Sequence, residues 1–380
     1  MNICFHAPFK PLGHPDPSGD LVIGTGLYNF LTHRGHTLWA VSNLRCRWIY
    51  WKPWLVPRII KEIRRAKRAV VKGKPDLWLT YHTYYKAPDI LGPLVSGKMR
   101  IPYAIFQGVY ATKRKKVFRT WPGFILNTRS LKAAHHVFTN KKKDLINLGR
   151  ILQPQKRTYV APGIFTDDFS YSAKDRRGLR TDWEVGDDPV MLTAAMFRPD
   201  VKTVGLKIVI RACGELFRKG KKFYLIIAGD GKKRHSLKKL AEKEAPGRIR
   251  FIGKLPEKEM YRFYSAGDLF AFPGIRESLG MVFLEAQSCG IPVVAFSNEG
   301  TPEVISHPHT GFLVPAFDFE AFVYGIETLL DNQALRRSMG KKGKLYVRKH
   351  HDLNVNYRVV EDVLMGLCSE SNQRIGRFKS

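Results

Sequence analysis

The sequence predicts an α/β protein of two domains, and three observations carry that expectation. Its 380 residues are too many for one small core and suit two domains of roughly 150 to 200 residues each. Short apolar runs alternate with helical stretches from Asn2 onward, the pattern of parallel strands covered by helices. Near the C-terminal third, Leu279 to Gln287 reads as an apolar helix, Gly290 as the residue that ends it and Pro292 as the opening of a buried strand.

The first domain, residues 1–162, opens with strand Asn2 to His6, a Pro- and Gly-rich loop from Pro8 to Gly24, a helix through Leu27, Phe30 and Leu31, and a strand from Thr37 to Val41. Strand, glycine loop, helix, strand is the opening of a Rossmann-type unit. Gly24-x-Gly26 is no dinucleotide fingerprint, because the third glycine and the acidic residue at the next strand end are missing. From Pro57 to Val71, Ile59, Ile60, Ile63, Ala66 and Val70 share one helical face, and Arg58, Lys61, Arg64, Arg65, Lys67 and Arg68 the other. Such a helix either packs its stripe into the core or lies on anionic lipid headgroups. Further strands are expected at Asp76 to His82, Tyr103 to Gln107, His136 to Thr139 and Thr158 to Ala161. Ala111 to Trp121 mixes Lys113, Arg114, Lys115, Lys116 and Arg119 with Phe118 and Trp121, a patch suited to an anionic acceptor or to single-stranded nucleic acid.

Residues 163–188 are polar and unperiodic, the pattern of a linker. The second domain, residues 189–350, begins with strand Val190 to Ala195 and a helix from about Val204 to Arg218. Strand Phe223 to Ala228 follows and ends at Gly229, where parallel α/β sheets bind ligands. Ile249 to Gly253 and the run after Asp268 are the next strands. Ser278 is a good N-cap for the apolar helix, which puts Glu277 just before the helix and Glu285 in its second turn. The N–H groups of Gly280, Met281 and Val282 then point out of the helix N-terminus and favour an anion, and Gly280 lets a phosphate approach. A carboxylate on each side of an anion site suits a nucleotide sugar, one holding a sugar hydroxyl and the other both hydroxyls of a ribose. Thr301 and Pro302 start a further helix, and residues 351–380 hold a last helix, Leu353 to Leu367, which in the fold of the family resembled below crosses back to the first domain, then a frayed basic tail from 369.

The string from Asp268 to Val294, with its paired Glu277 and Glu285, resembles the retaining glycosyltransferases of family 4. The resemblance implies the GT-B fold, two Rossmann-like domains facing each other across a cleft. It implies that Glu277 contacts the donor sugar while Arg198 and Lys202 offset charge on the diphosphate leaving group, so these three are the catalytic candidates. Glu285 would bind the ribose, the amides of Gly280, Met281 and Val282 the sugar and diphosphate, and the strand end at Gly253 the base; Gly229 joins this donor-binding set. On the acceptor side the family's glycine loop is matched by Ser18-Gly19-Asp20, with Asp20 in place of a second glycine. The family's cleft histidine is matched by Gln107, which can hold a hydroxyl but cannot exchange a proton at neutral pH. His82 is the other histidine at a strand end, and Lys113 and Arg114 complete the acceptor-side candidates. The implied function is transfer of a sugar from a nucleoside diphosphate donor to an anionic glycan or glycolipid, as in lipopolysaccharide or surface polysaccharide synthesis. No cofactor beyond the donor is expected, and with no Asp-x-Asp triplet in the sequence no metal is either. A nucleotide-sugar epimerase of related fold and a basic nucleic-acid-binding protein with a vestigial cleft are the competing classes. Nucleic acid is the less suited partner, since Glu277 and Glu285 would repel its backbone.

Charge narrows the partners further. The chain carries a formal +31, and residues 1–160 hold 29 Lys and Arg against 6 Asp and Glu. So basic a half implies a polyanionic substrate or surface, and peripheral association with an anionic membrane is expected. Apolar runs fall far short of the ~18 residues of a membrane span, and the N-terminus lacks the charged-then-apolar order of a signal peptide. A cytoplasmic location at the inner membrane face follows as the expectation. The five cysteines are scattered and without a Cys-x-x-Cys pair, so neither a disulfide framework nor a zinc site is indicated.

Overall fold

The computed structural model describes residues 1–14 and 19–377. The chain divides into two compact units, one built from Met1–Val160 and the segment from Asn354 onward, the other from Ala161–Leu353.

The first unit is a six-stranded parallel sheet. Its strands are β1 (Asn2–His6), β2 (Thr37–Ser42), β3 (Leu77–Thr83), β4 (Tyr103–Gly108), β5 (His136–Thr139) and β6 (Arg157–Tyr159), in the spatial order β2-β1-β3-β4-β5-β6. Helices cover the sheet, so β4 is buried along its whole length and reads as a continuous apolar run. The loop after β1 is shorter than the sequence suggests. Helix Gly19–His33 already contains Gly24 and Gly26. Gly24 is there for packing: a Cβ on it would lie 2.7 Å from the Tyr81 ring on β3.

Helix Val56–Gly73 resolves its two readings in favour of the core for most of its stripe. Ala66 and Val70 are buried and Ile59 and Ile63 pack against them, while Ile60 stays exposed. Its cations are left facing outward. Helix Leu353–Arg377 continues through the region expected to fray. It is seated on the first unit by Glu361, which accepts from Arg34 Nε at 3.0 Å and sits 2.8 Å from His36 Nε2.

The second unit repeats the plan, with β7 (Val190–Ala194), β8 (Tyr224–Ala228), β9 (Ile249–Gly253), β10 (Leu269–Ala271), β11 (Val293–Phe296) and β12 (Gly311–Val314) in the order β12-β11-β10-β7-β8-β9, all parallel. The expected linker at 163–188 is part of this unit. It holds helix Ala173–Asp182, capped by Ser172 and laid against helix Met260–Ala266. Arg176 and Arg180 of that helix both pair with Asp268, at 2.7 and 3.1 Å, and Phe169, Trp183 and Val185 enter the unit's core. Pro162 and Ile164 are strapped to the end of the unit by His351 and Leu353 through bonds of 2.6 and 2.9 Å.

All five cysteines are free and buried. Among the described residues no helix is long and apolar enough to cross a membrane.

Candidate active site

The donor-side candidates collect at the carboxyl ends of β7, β8 and β9 and in the loop after β10. The chain leaves β7 through Arg198 and enters helix Val201–Arg218, whose cap Asp200 accepts the Lys202 N–H at 2.8 Å. The Thr203 hydroxyl donates to the Arg198 carbonyl and fixes this turn, leaving the Arg198 side chain exposed. Lys202 Nζ is ion-paired with Glu277 Oε2 and lies 5.4 Å from the centre of the Phe272 ring. Two candidates 75 residues apart in sequence are thus in direct contact.

Glu277 is held by its backbone as well. Its N–H donates to the Gly274 carbonyl at 2.9 Å, and its carbonyl accepts the Gly300 N–H at 3.0 Å. A Cβ on Gly300 would run into the Ser278 carbonyl, so this glycine is what lets the two loops touch. The helix that follows is Met281–Ser288, and its N-cap is Gly280 at φ 66° rather than Ser278. Ser278 is drawn into the loop, and the left-handed turn falls to glycine, which adopts it without strain. Gly280 is also packed close, since a Cβ there would lie 2.6 Å from Val304 Cγ2. Met281 and Val282 occupy the first turn, where amide N–H groups have no carbonyl of their own helix to bond.

Glu285 sits one turn further along, partly buried, and accepts a hydrogen bond from the Tyr264 hydroxyl at 2.7 Å. Burial pushes its carboxyl up to about 7; the Tyr264 bond opposes the rise, and the charges of Glu257 and Glu277 add to it. Tyr264 went unnoticed in the sequence, where nothing marks a tyrosine 21 residues upstream as the partner of Glu285. Gly229 and Gly253 also meet: the Gly229 N–H donates to the Gly253 carbonyl at 2.7 Å. Both have positive φ, 138° and 83°, and a Cβ on Gly229 would strike the Ala195 carbonyl.

The acceptor-side candidates belong to the first unit. Gln107 is buried near the end of β4 with φ 60°, and His82 near the end of β3 has φ 56°. Pairing of Tyr81 with Phe106 and of Thr83 with Gly108 sets these two residues side by side. Left-handed conformations at non-glycine residues cost free energy and concentrate at functional sites. Here two adjacent strands make the same turn at the same level. Lys113 is exposed in a short turn, Thr112–Arg114, and the Arg114 guanidinium stacks 4.5 Å from the Tyr85 ring centre. Gly19 is exposed at the first position of helix Gly19–His33. Ser18 and the Asp20 side chain lie outside the described residues. Among the described residues no three His, Cys, Asp or Glu side chains cluster in a way that could hold a metal ion.

The fold is shared, over 96% of this chain and 100% of the other, with the HepE protein of Anabaena in complex with UDP, at a TM-score of 0.76 and 16% identity. It is shared equally with the sucrose-phosphate synthase of Thermosynechococcus elongatus, over 97% of this chain and 100% of that one, at 0.73 and 19%. At such identities the likeness is one of fold, and that fold is GT-B. In sequence, residues 180–346 match the family described as glycosyl transferases group 1, so the second unit carries a domain of that family. A curated relative is the GDP-mannose-dependent alpha-(1-6)-phosphatidylinositol monomannoside mannosyltransferase of Mycolicibacterium smegmatis, 30% identical over 194 residues, covering 49% of this chain and 50% of the relative. The chain spans about half the length of such relatives.

Proposed function

We propose that the protein is a retaining glycosyltransferase, moving a sugar from a nucleoside diphosphate donor to an anionic glycan or glycolipid. The observation that carries this reading is the contact of Lys202 with Glu277 beside the N-terminus of helix Met281–Ser288. A cation, a helix N-terminus and a carboxylate are gathered where a sugar diphosphate has a leaving group to stabilise and a hydroxylated ring to hold.

As the glycosidic bond breaks, negative charge grows on the diphosphate. Arg198, Lys202 and the amides of Gly280, Met281 and Val282 would take up that charge, so that transfer proceeds without a divalent metal. Glu277 would orient the sugar and Glu285 the ribose. Gln107 and His82 would hold hydroxyls of the acceptor, and Gln107, lacking a titrating group, would do so without exchanging a proton. The basic first unit suits an acceptor carrying phosphate at an anionic membrane face, in surface polysaccharide or lipopolysaccharide synthesis. The Mycolicibacterium smegmatis relative, a phosphatidylinositol monomannoside mannosyltransferase, supports an acceptor of that chemistry.

The test is turnover. The protein is incubated in chelator with UDP-, GDP- and ADP-sugars and a bacterial lipid extract, and nucleoside diphosphate release and the anomeric configuration of the product are followed. One donor consumed with retention supports the reading. A strict magnesium requirement removes the metal-independent mechanism, and an inverted product removes retention.

A further inference from the structure

The first unit carries a chain of aromatic rings leading outward from His82. His82 stacks on Tyr84 at 5.0 Å, and Tyr84 meets Tyr85 edge-on at 5.4 Å. Tyr85 contacts Trp48 at 6.3 Å, and Trp48 contacts Tyr50 at 5.9 Å. Tyr50 leads to Trp51 at 6.0 Å and Trp51 to Phe118 at 5.6 Å, with the Trp51 indole N–H anchored on the Arg119 carbonyl. The track ends in open solvent: Phe118 is 81% exposed, and Trp54, in the short turn after Trp51, is 69% exposed.

Cations lie along the middle of this track. Lys86 Nζ is 5.8 Å from the Trp48 ring and 5.7 Å from the Tyr85 ring, Arg114 stacks on Tyr85, and Arg119 lies 5.4 Å from Trp48. No acidic residue occurs in the sequence between Asp89 and Asp144, the stretch that carries Arg114 and Arg119. Arg114 Nε and the Tyr50 hydroxyl are enclosed and have no hydrogen-bond partner among the described residues. Donors of that kind cost free energy unless a ligand supplies the acceptor.

We propose that this track binds a phosphorylated cyclic polyol, a six-membered ring of the inositol or sugar type, as the headgroup of a membrane-embedded lipid, with Trp51, Trp54 and Phe118 entering the bilayer interface. The inference rests on the acceptor reading above and names its physical form. Tyr84, Tyr85 and Trp48, all half-buried, give the track aromatic walls for such a ring. Lys86, Arg114 and Arg119 pair with the phosphate, their stacked cations keeping donor edges free. Exposed Trp and Phe side chains are at home at the headgroup level, where one end of the ring is apolar and the other wet. Helix Val56–Gly73 cannot supply that insertion with its main stripe, which is spent on the core; its cations add attraction to anionic lipid.

The experiment uses the full chain and vesicles of phosphatidylcholine with brominated acyl chains, either pure or with about one-fifth phosphatidylinositol or phosphatidylglycerol. Bromine quenches tryptophan only where the ring enters the lipid. The expected result is quenching with both anionic vesicles, at least about tenfold tighter binding to phosphatidylinositol than to phosphatidylglycerol, and little binding to pure phosphatidylcholine. The exposed double variant Trp54→Ser/Phe118→Ser should lose the Trp54 share of the quenching, leaving only a weaker signal from Trp51, and bind about tenfold more weakly, and Arg114→Gln should bind the two anionic vesicles alike. Vesicle binding without quenching, or a double variant that binds like the wild type, overturns insertion; equal binding of the two headgroups by the wild type overturns headgroup recognition. Thermal shift by nucleoside diphosphates on the same proteins separates this from the enzyme reading. A nucleotide shift that survives while quenching is absent sinks the track alone, whereas quenching without any nucleotide shift sinks the transferase alone.

Discussion

Lys202 and Glu277 neutralise each other: Lys202 Nζ reaches Glu277 Oε2 from the first turn of the helix after β7, while Phe272 flanks the cation. A diphosphate that enters this site must therefore draw Lys202 away from a carboxylate. Glu277→Gln removes the competitor, so a nucleoside diphosphate should bind more tightly by about 1 kcal/mol, roughly fivefold, while turnover should fall with the loss of the carboxylate proposed to orient the sugar. Titration calorimetry with the diphosphate, set beside steady-state rates, checks both halves.

Lys202→Ala works in the opposite sense. It removes the cation proposed above to meet the leaving group, and turnover should drop about 100- to 1000-fold. Glu277 is left partly buried without its cation, so the variant should also melt earlier than wild type, and Lys202→Ala/Glu277→Gln should recover that stability without recovering the rate.

Glu285 gives the site a pH dependence whose sign can be worked out. Its folded-state pKa is raised to about 7, so between the ordinary carboxylate range and pH 7 the folded protein holds a proton that the unfolded chain has lost. Its burial thus lowers stability progressively as pH rises through that window. Glu285→Gln should be as stable as wild type near pH 4 and more stable at pH 8, by on the order of 2 to 3 kcal/mol. Ribose hydroxyls favour the ionised carboxylate, so nucleotide affinity should rise from pH 6 to pH 8 in the wild type and lose that slope in the variant.

Tyr264→Phe removes the one hydrogen bond that holds the Glu285 pKa down. The midpoint of the nucleotide affinity profile should then move to higher pH. A midpoint that stays put or falls would mean that the Tyr264 hydroxyl does not act on this carboxyl.

Gly229→Ala places a Cβ against the Ala195 carbonyl at φ 138°. A loss of at least about 2 kcal/mol of stability is expected from the clash and the strained backbone together. Exposed Gly97, with nothing near its missing Cβ, is the control, since Gly97→Ala in the last turn of helix Leu91–Met99 should be neutral or slightly stabilising.

Much of this architecture is legible in the sequence because buried parallel strands read as short apolar runs, and β4 and β7 were found that way. The helix bearing Glu285 was equally plain, but its start was not. Ser278 is a strong cap by type, and only the fold shows that the Glu277 carbonyl is taken by Gly300 and that Gly280 makes the turn. Helix Ala173–Asp182 was hidden for a different reason: its arginines look like solvated surface until Asp268, some 90 residues on, is seen to hold two of them. The ring track is drawn from three separate stretches, around Trp48, Tyr84 and Phe118, and no local pattern links them. The sequence marked only its last stretch, as a cationic patch.

The most direct measurement for the donor site is a thermal-shift titration of UDP, GDP and ADP, in chelator, on the wild type and on Glu285→Ala. A nucleotide at about 100 times its dissociation constant adds ~2.7 kcal/mol of stability. One of the three should stabilise the wild type by that amount and the variant by far less. No shift with any of them, or the same shift in both proteins, would contradict a nucleotide site built around Glu285.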